Sequence, residues 1–202
     1  GKSDPVNYKE DALNLIARVN EVVAAVYRIH NGWGDPIPSE PERGYVENFV
    51  HMLGVPGADP EKLTALLRSF HILHNDHGGG NLSTFSGKAV ASGLADIYTS
   101  MSAAMGGLYG PRHGRANQAC LAFTREIGTD DHDEIERIVR KKLEVGELIY
   151  GYGHAVLRAE DPRATFQYGL GEKICPDDKL FRTAAAMREV IPPILKENPK
   201  IA

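Results

Sequence analysis

Nowhere in this 202-residue chain do apolar and polar residues alternate over the length of a β-strand; where apolar residues recur, they recur three and four apart. That spacing belongs to one face of an α-helix, so the pattern points to a mostly or wholly α-helical fold. Leu13, Ile16, Val19, Val23, Val26 and Tyr27 mark a helix over 8–30. The turn-rich stretch 31–44 ends it, and a short helix over 45–54 is closed by Gly54. Asp59-Pro60 opens the next helix, with proline in the first turn and Leu63, Leu66, Leu67 and Phe70 as its stripe; it is expected to stop at Gly78-Gly79-Gly80. Asn81 or Ser83 caps a helix over about 82–95.

Residues 83–107 are dominated by Gly, Ala, Ser and Thr, which let helix backbones approach closely, either within a domain or across a subunit contact. A glycine-rich joint follows at 107–118, then a helix over 116–127. Asp131 to Glu134 resembles a capping box ahead of Ile135, Ile138, Val139 and Leu143. Residues 151–166 read as a loop. A last helix over about 178–197 is broken or kinked at Pro192-Pro193. No internal repeat is present.

The bulk composition excludes several classes. At 42% apolar and 25% charged the chain has the make-up of a globular domain, and its length allows one or two domains with a sizeable core. A net charge of −4 gives no electrostatic basis for a nucleic-acid or anionic-membrane partner. No apolar run approaches a membrane span. Cys120 and Cys175 form neither a CxxC pair nor a disulfide framework, and read as reduced structural thiols of an intracellular protein. The start, GKSDPVNYKE, is not a signal peptide and has no initiator Met, so the natural start is expected upstream.

Chemistry concentrates in three glycine-rich loops. His74 and His77 lie in 74–81, His113 in 110–117 and His154 in 151–163, with Arg112, Arg115, Arg158 and Arg163 in the last two. Histidines with arginines suit an anionic substrate, because a guanidinium grips carboxylate or phosphate through two parallel hydrogen bonds. The stretch HILHNDHGGGN also raises zinc, but its histidines are three apart rather than four and no cysteine pair completes a tetrahedral set. No metal site is expected. The same stretch is no P-loop, and Gly151-Tyr152-Gly153 lacks the third glycine of a dinucleotide fingerprint. His30, His51, His71 and His132 are read as structural.

Taken together, HNDHGGGN, GPRHGRANQ and GYGHAVLRAEDPR resemble the citrate synthase family in order and spacing, as do VYRIHNG and ENFVHMLG upstream. The resemblance runs from about residue 11 to 200 and is closest to the eukaryote-like sequence type that also occurs in bacteria. It implies an all-α, two-domain, homodimeric Si-type enzyme that condenses acetyl-CoA with oxaloacetate and water to citrate and CoA. Residues 1–112 would belong to the large domain, with dimer-forming helices about 61–95, and 113–202 to the small domain. It implies catalytic roles for His113 and His154 and oxaloacetate contacts at His77 and Arg163. It places Arg158 on CoA phosphate and the backbone of Gly151, Tyr152 and Gly153 along CoA. Acetyl-CoA would be a substrate, with no permanently bound cofactor. One domain would close over the other, hinging near 110–114.

The family's catalytic aspartate and two more substrate arginines follow the region this chain covers, and the family has a long segment before residue 1. The chain therefore reads as a central fragment. Asp161, ahead of Pro162, is better read as a turn former than as a substitute base; Asp76 is not favoured either. Arg112 stands where the family more often has an apolar residue. The alternatives are 2-methylcitrate synthase activity on propionyl-CoA, or a non-catalytic assembly module built on helix 82–95. The compartment is read as bacterial cytoplasm, with the mitochondrial matrix as the other reading.

Overall fold

Caps and glycines, more than apolar stripes, set where the helices begin and end in the computed structural model, which describes residues 5–75, 78–153, 157 and 159–197. Nine α-helices and no strand occur among the described residues. They are α1 (Pro5–Asn31), α2 (Tyr45–Leu53), α3 (Pro60–Leu73), α4 (Leu82–Ser92), α5 (Ile97–Leu108), α6 (Ala116–Ile127), α7 (His132–Glu144), α8 (Pro162–Ile174) and α9 (Lys179–Lys196). The chain divides into two compact units, Gly1–Gly107 and Leu108–Ala202.

In the first unit, α1 packs on α2 and α2 on α3. The apolar stripe that identifies α1 is not the face it buries. Leu13, Ile16, Val19, Val23, Val26 and Tyr27 are all exposed, whereas Asn20, Ala24 and Arg28, four residues apart, turn inward. Ala24 joins Phe49, Met52 and Leu53 in a small core against Val55 and Leu67. Arg28 is only 7% exposed, and among the described residues its guanidinium bonds backbone carbonyls rather than a carboxylate. Its Nε donates to Asp35 O at 2.8 Å, Nη1 to Leu53 O at 2.9 Å and Gly54 O at 3.3 Å, and Nη2 to Trp33 O at 2.5 Å. One guanidinium thus ties the end of α1 to the turn after it and to the end of α2. Gly54, at φ +50°, ends α2 in the left-handed region, and a Cβ there would lie 2.5 Å from Arg28 Nη1.

Asp59 caps α3, accepting from Glu61 N and Lys62 N at 2.9 and 3.2 Å. α3 stops at Leu73, with His74 as its C-cap, ahead of the glycines expected to end it. The 82–95 helix is also shorter than expected. Asn81 caps α4 through Thr84 N (2.9 Å), and the helix ends at Gly93 and Leu94, the latter at φ +64°. Asp96 then starts α5 by accepting from Thr99 N at 2.8 Å. The small residues serve this crossing of α4 and α5 inside the unit: a Cβ on Gly87 would lie 3.2 Å from Ala104 Cβ, and Ser86 Oγ donates to Ala103 O at 3.2 Å.

The second unit is built on α6, α7 and α9. Ile135, Val139 and Ile191 are fully buried and Met187 nearly so, joined by Phe123, Ile127, Ile149, Ile194 and Leu195. Each such side chain contributes roughly 1.5–3 kcal/mol of transfer free energy. At α7 only half of a capping box forms. Asp131 accepts from Glu134 N at 2.9 Å, but Glu134's carboxylate turns to Arg137 (Nη2 to Oε1, 2.5 Å) instead of reaching back. α9 is not broken at Pro192-Pro193; it runs on to Lys196 and simply lacks the two N–H donors the prolines cannot supply.

The loop expected over 151–166 ends at Asp161, which caps α8, with Pro162 in its first turn. No apolar stripe marks α8, whose one buried residue is Gly171. Gly171 is buried, and a Cβ there would enter the van der Waals envelope of the Phe181 ring on α9. We expect Gly171→Ala to destabilise the chain by about 1–3 kcal/mol, the usual range for overpacking, as a lower thermal midpoint. An unchanged midpoint would mean that the Phe181 ring has room to step aside.

Candidate active site

Two of the three glycine-rich loops lie against α6, one at its start and one at Cys120. The first is the turn 110–115, which runs into the helix. His113 N donates to Gly110 O at 2.9 Å, Arg115 N to Leu108 O at 3.2 Å and Ala116 N to His113 O at 3.0 Å. Gly114 is pressed on Leu108 so closely that a Cβ would overlap both its side chain and its carbonyl oxygen. Only glycine lets the turn fold this tightly, and the turn sets His113 half-buried at the helix entrance. The Arg115 guanidinium lies over the Tyr109 ring, 5.2 Å from its centroid.

The second is the turn 151–153. Gly151 and Gly153 adopt φ +90° and +79°, which glycine alone adopts without strain. A Cβ on Gly151 would lie 2.6 Å from Cys120 Sγ. Cys120 is four residues into α6, about 6 Å from its first residue by helical rise. Gly151 therefore sits against the first half of the helix whose start carries His113. Tyr152 packs against the hydrophobic core of this unit, and burial pushes its hydroxyl far above the ordinary tyrosine range, so the ring is an anchor for the turn. Burial likewise raises the Cys120 thiol, which stays protonated at neutral pH. The size of Cys120 sets how closely Gly151 approaches, which no local sequence signal reveals.

Arg163 is in the first turn of α8. Its Nε donates to Asp161 Oδ1 and Oδ2 at 3.0 and 3.1 Å and its Nη2 to Oδ2 at 2.5 Å, while its backbone N donates to Oδ1 at 2.9 Å. The Asp161 carboxylate holds the guanidinium in the two-pronged way a substrate carboxylate would. Asp161 is thereby engaged as helix cap and arginine partner, in keeping with its reading as a turn former. Among the other expected site residues, His77, His154 and Arg158, with Asp76, lie outside the described residues.

The third loop begins in the first unit. His74 Nδ1 is 2.7 Å from Phe70 O, and its ring stacks on Phe70 with centroids 4.1 Å apart. His71 Nδ1 is 2.7 Å from Leu67 O, and its ring meets those of Tyr45 and Phe49 edge-on. A carbonyl oxygen only accepts, so both rings carry the proton on Nδ1. No group of three or more metal-ligating side chains occurs among the described residues. A groove of about 670 Å³ lies between α2 and α3, lined by Arg43, Glu47, His51 and Arg68 among others. Its basic groups already face carboxylates: Arg43 and His51 face Glu40 at 2.5 and 3.3 Å, and Arg68 pairs with Glu47. That leaves the α6 end as the stronger candidate for chemistry. No helix among the described residues is long and apolar enough to cross a membrane.

Residues 2–201 match the family model described as citrate synthase, C-terminal domain. Citrate synthase 4, mitochondrial, of Arabidopsis thaliana is 45% identical over 197 residues, 95% of this chain and 41% of that protein. A probable mitochondrial citrate synthase of Glossina morsitans morsitans is 40% identical over 199 residues, covering 95% and 42%. The crystal structure of citrate synthase from Thermotoga maritima superposes with a TM-score of 0.81 at 32% identity, over 98% of this chain and 52% of that one. That from Pyrobaculum aerophilum gives 0.74 at 30%, over 93% and 45%. The chain thus spans about half or less of the length of these relatives. With a family model matched over nearly its whole length and an all-α fold shared with solved members, this chain belongs to the citrate synthase family.

Proposed function

We propose that the complete protein condenses acetyl-CoA with oxaloacetate and water to citrate and CoA, and that this chain supplies much of its active site. The observation that supports the reading most is that the His113 turn opens α6 while Gly151 packs on Cys120 one turn further along it. An acetyl methyl proton is barely acidic, so its removal requires a base and a hydrogen-bond donor to the forming enolate oxygen. His113 as a neutral imidazole would be that donor. His154 would donate to the oxaloacetate carbonyl oxygen, drawing electrons from the carbon that the enolate attacks and stabilising the alkoxide formed there. Water then cleaves the thioester, releasing CoA as the free thiol. Asp161, engaged with Arg163 and the α8 backbone, is not assigned as the base.

His77 and Arg163 would hold oxaloacetate so that the attack is effectively intramolecular. The substrate carboxylate would share or replace Asp161 on the guanidinium. Arg158 would meet CoA phosphate, and the backbone of Gly151, Tyr152 and Gly153 would lie along CoA, held by Tyr152 in the core. No permanently bound cofactor is required. A hinge near 110–114 would let residues 113–202 close as the small domain over the large one and exclude water from the thioester until attack is complete. A homodimer is supported by the apolar side chains left exposed on α3 and α4, Phe70, Ile72, Leu82 and Phe85, in the 61–95 region proposed for assembly, and by the uncovered stripe of α1. The mitochondrial names of two relatives set the matrix reading beside the cytoplasmic one.

Release of CoA thiol by the complete protein tests this reading. We expect release that depends on both acetyl-CoA and oxaloacetate. A higher kcat/KM with propionyl-CoA would turn the reading to 2-methylcitrate synthase. No release with either thioester would leave the assembly module.

A further inference from the structure

The pair Glu160–Arg188 has no role in the reaction proposed above, yet its geometry is that of a clamp. Glu160 immediately precedes Asp161, the cap of α8 that also grips Arg163. Arg188 lies on α9 next to Met187 and one turn before Ile191, both buried in the core, so it projects from a rigid support. Its Nε donates to Glu160 Oε2 and its Nη2 to Oε1, each at 2.6 Å, a two-pronged fork across 28 residues of chain. Thr165, in the first turn of α8, donates its hydroxyl to the same carboxylate. The guanidinium also lies over the Tyr168 ring, 4.6 Å from its centroid, and Tyr168 donates its hydroxyl to Ala184 O of α9 at 3.2 Å.

The fork and the stacked ring thus pin the start of α8 to α9. The 151–153 turn is anchored through Tyr152 on the same core cluster that holds Met187, the α9 neighbour of Arg188, so clamp and turn share one support. The fork is partly exposed, with side chains 31% and 41% accessible, and an ion pair this exposed adds little to overall stability. Its fixed geometry can nonetheless decide function, because active groups displaced by about 1 Å can lose on the order of a hundredfold in rate.

We propose that Glu160 and Arg188 are positioning residues, which fix the start of α8 and hence Arg163, and steady the 151–153 turn against Cys120, for substrate capture. The assignment rests on the reaction proposed above. The test compares the complete protein with Glu160→Gln, Arg188→Met and Arg188→Lys, measuring kcat and KM for oxaloacetate. In parallel, the rate at which a disulfide reagent labels Cys120 is followed in a Cys175→Ser background. We expect KM for oxaloacetate to rise about tenfold or more in Glu160→Gln and Arg188→Met, with kcat falling less. Cys120 labelling should quicken and the thermal midpoint should stay nearly constant. Arg188→Lys should rescue little, because an ammonium cannot form the fork.

Unchanged KM and unchanged labelling would overturn the positioning role. So would kinetic losses that merely follow a lowered midpoint, since that is a structural effect. If the unsubstituted protein releases no CoA, the reaction itself fails, and the catalytic purpose of the clamp fails with it. The labelling comparison needs no turnover, and still reports separately whether the fork holds the turn.

Discussion

Arg28→Leu is expected to destabilise the first unit by about 3 kcal/mol or more, a large part of a typical domain's stability. Leucine matches the burial but donates nothing, so the carbonyls of Trp33, Asp35, Leu53 and Gly54 would lose the donor they share. Arg28→Lys should recover only part of the loss, because a single ammonium cannot reach the four carbonyls of two separate segments at once. Trp33 is the only tryptophan in the chain and its carbonyl is one of the acceptors, so its fluorescence reports on the site directly. A denaturant titration followed by Trp33 emission and by circular dichroism should show a lower midpoint in both signals. An unfolding free energy within about 0.5 kcal/mol of the unsubstituted chain would mean that water replaces the guanidinium and that Arg28 does not hold α1 to α2.

His113→Ala in the complete protein is expected to lower kcat by about 10²–10⁴-fold, the range for losing a positioned acid–base or oxyanion donor. The fold should be untouched, because the turn is made by backbone bonds and by the fit of Gly114 on Leu108. KM for oxaloacetate should move much less, since the proposed contact of His113 is to the acetyl oxygen. Circular dichroism and the thermal midpoint separate this outcome from misfolding. A kcat within about threefold of the unsubstituted enzyme would remove His113 from the proposed mechanism.

Much of the helical framework was legible residue by residue, because it rests on local chemistry. Asp59-Pro60, Asn81, Asp131 and Gly54 mark helix ends through hydrogen bonds and φ angles that involve only near neighbours in sequence. The helix over 116–127 was read with its observed bounds. α8 leaves no periodic trace in the sequence, because its one buried position is a glycine, Gly171, and no apolar stripe marks its inner face. The loop end carrying His113 was visible from its glycines and from the family resemblance. Its neighbourhood with Gly151 was not, because the link is the distant Cys120.

Sequence by itself therefore determined the helical class, most caps, the residues rich in chemistry and the family they resemble. Only the tertiary structure decided which face of α1 is buried, that Arg28 bonds backbone rather than an acid, and that Glu160 meets Arg188. Helix periodicity fixes which residues share a face, but every amphipathic helix has surroundings on all sides. Which face is covered, and by what, is settled by contacts between residues far apart in the chain, and no local pattern encodes them.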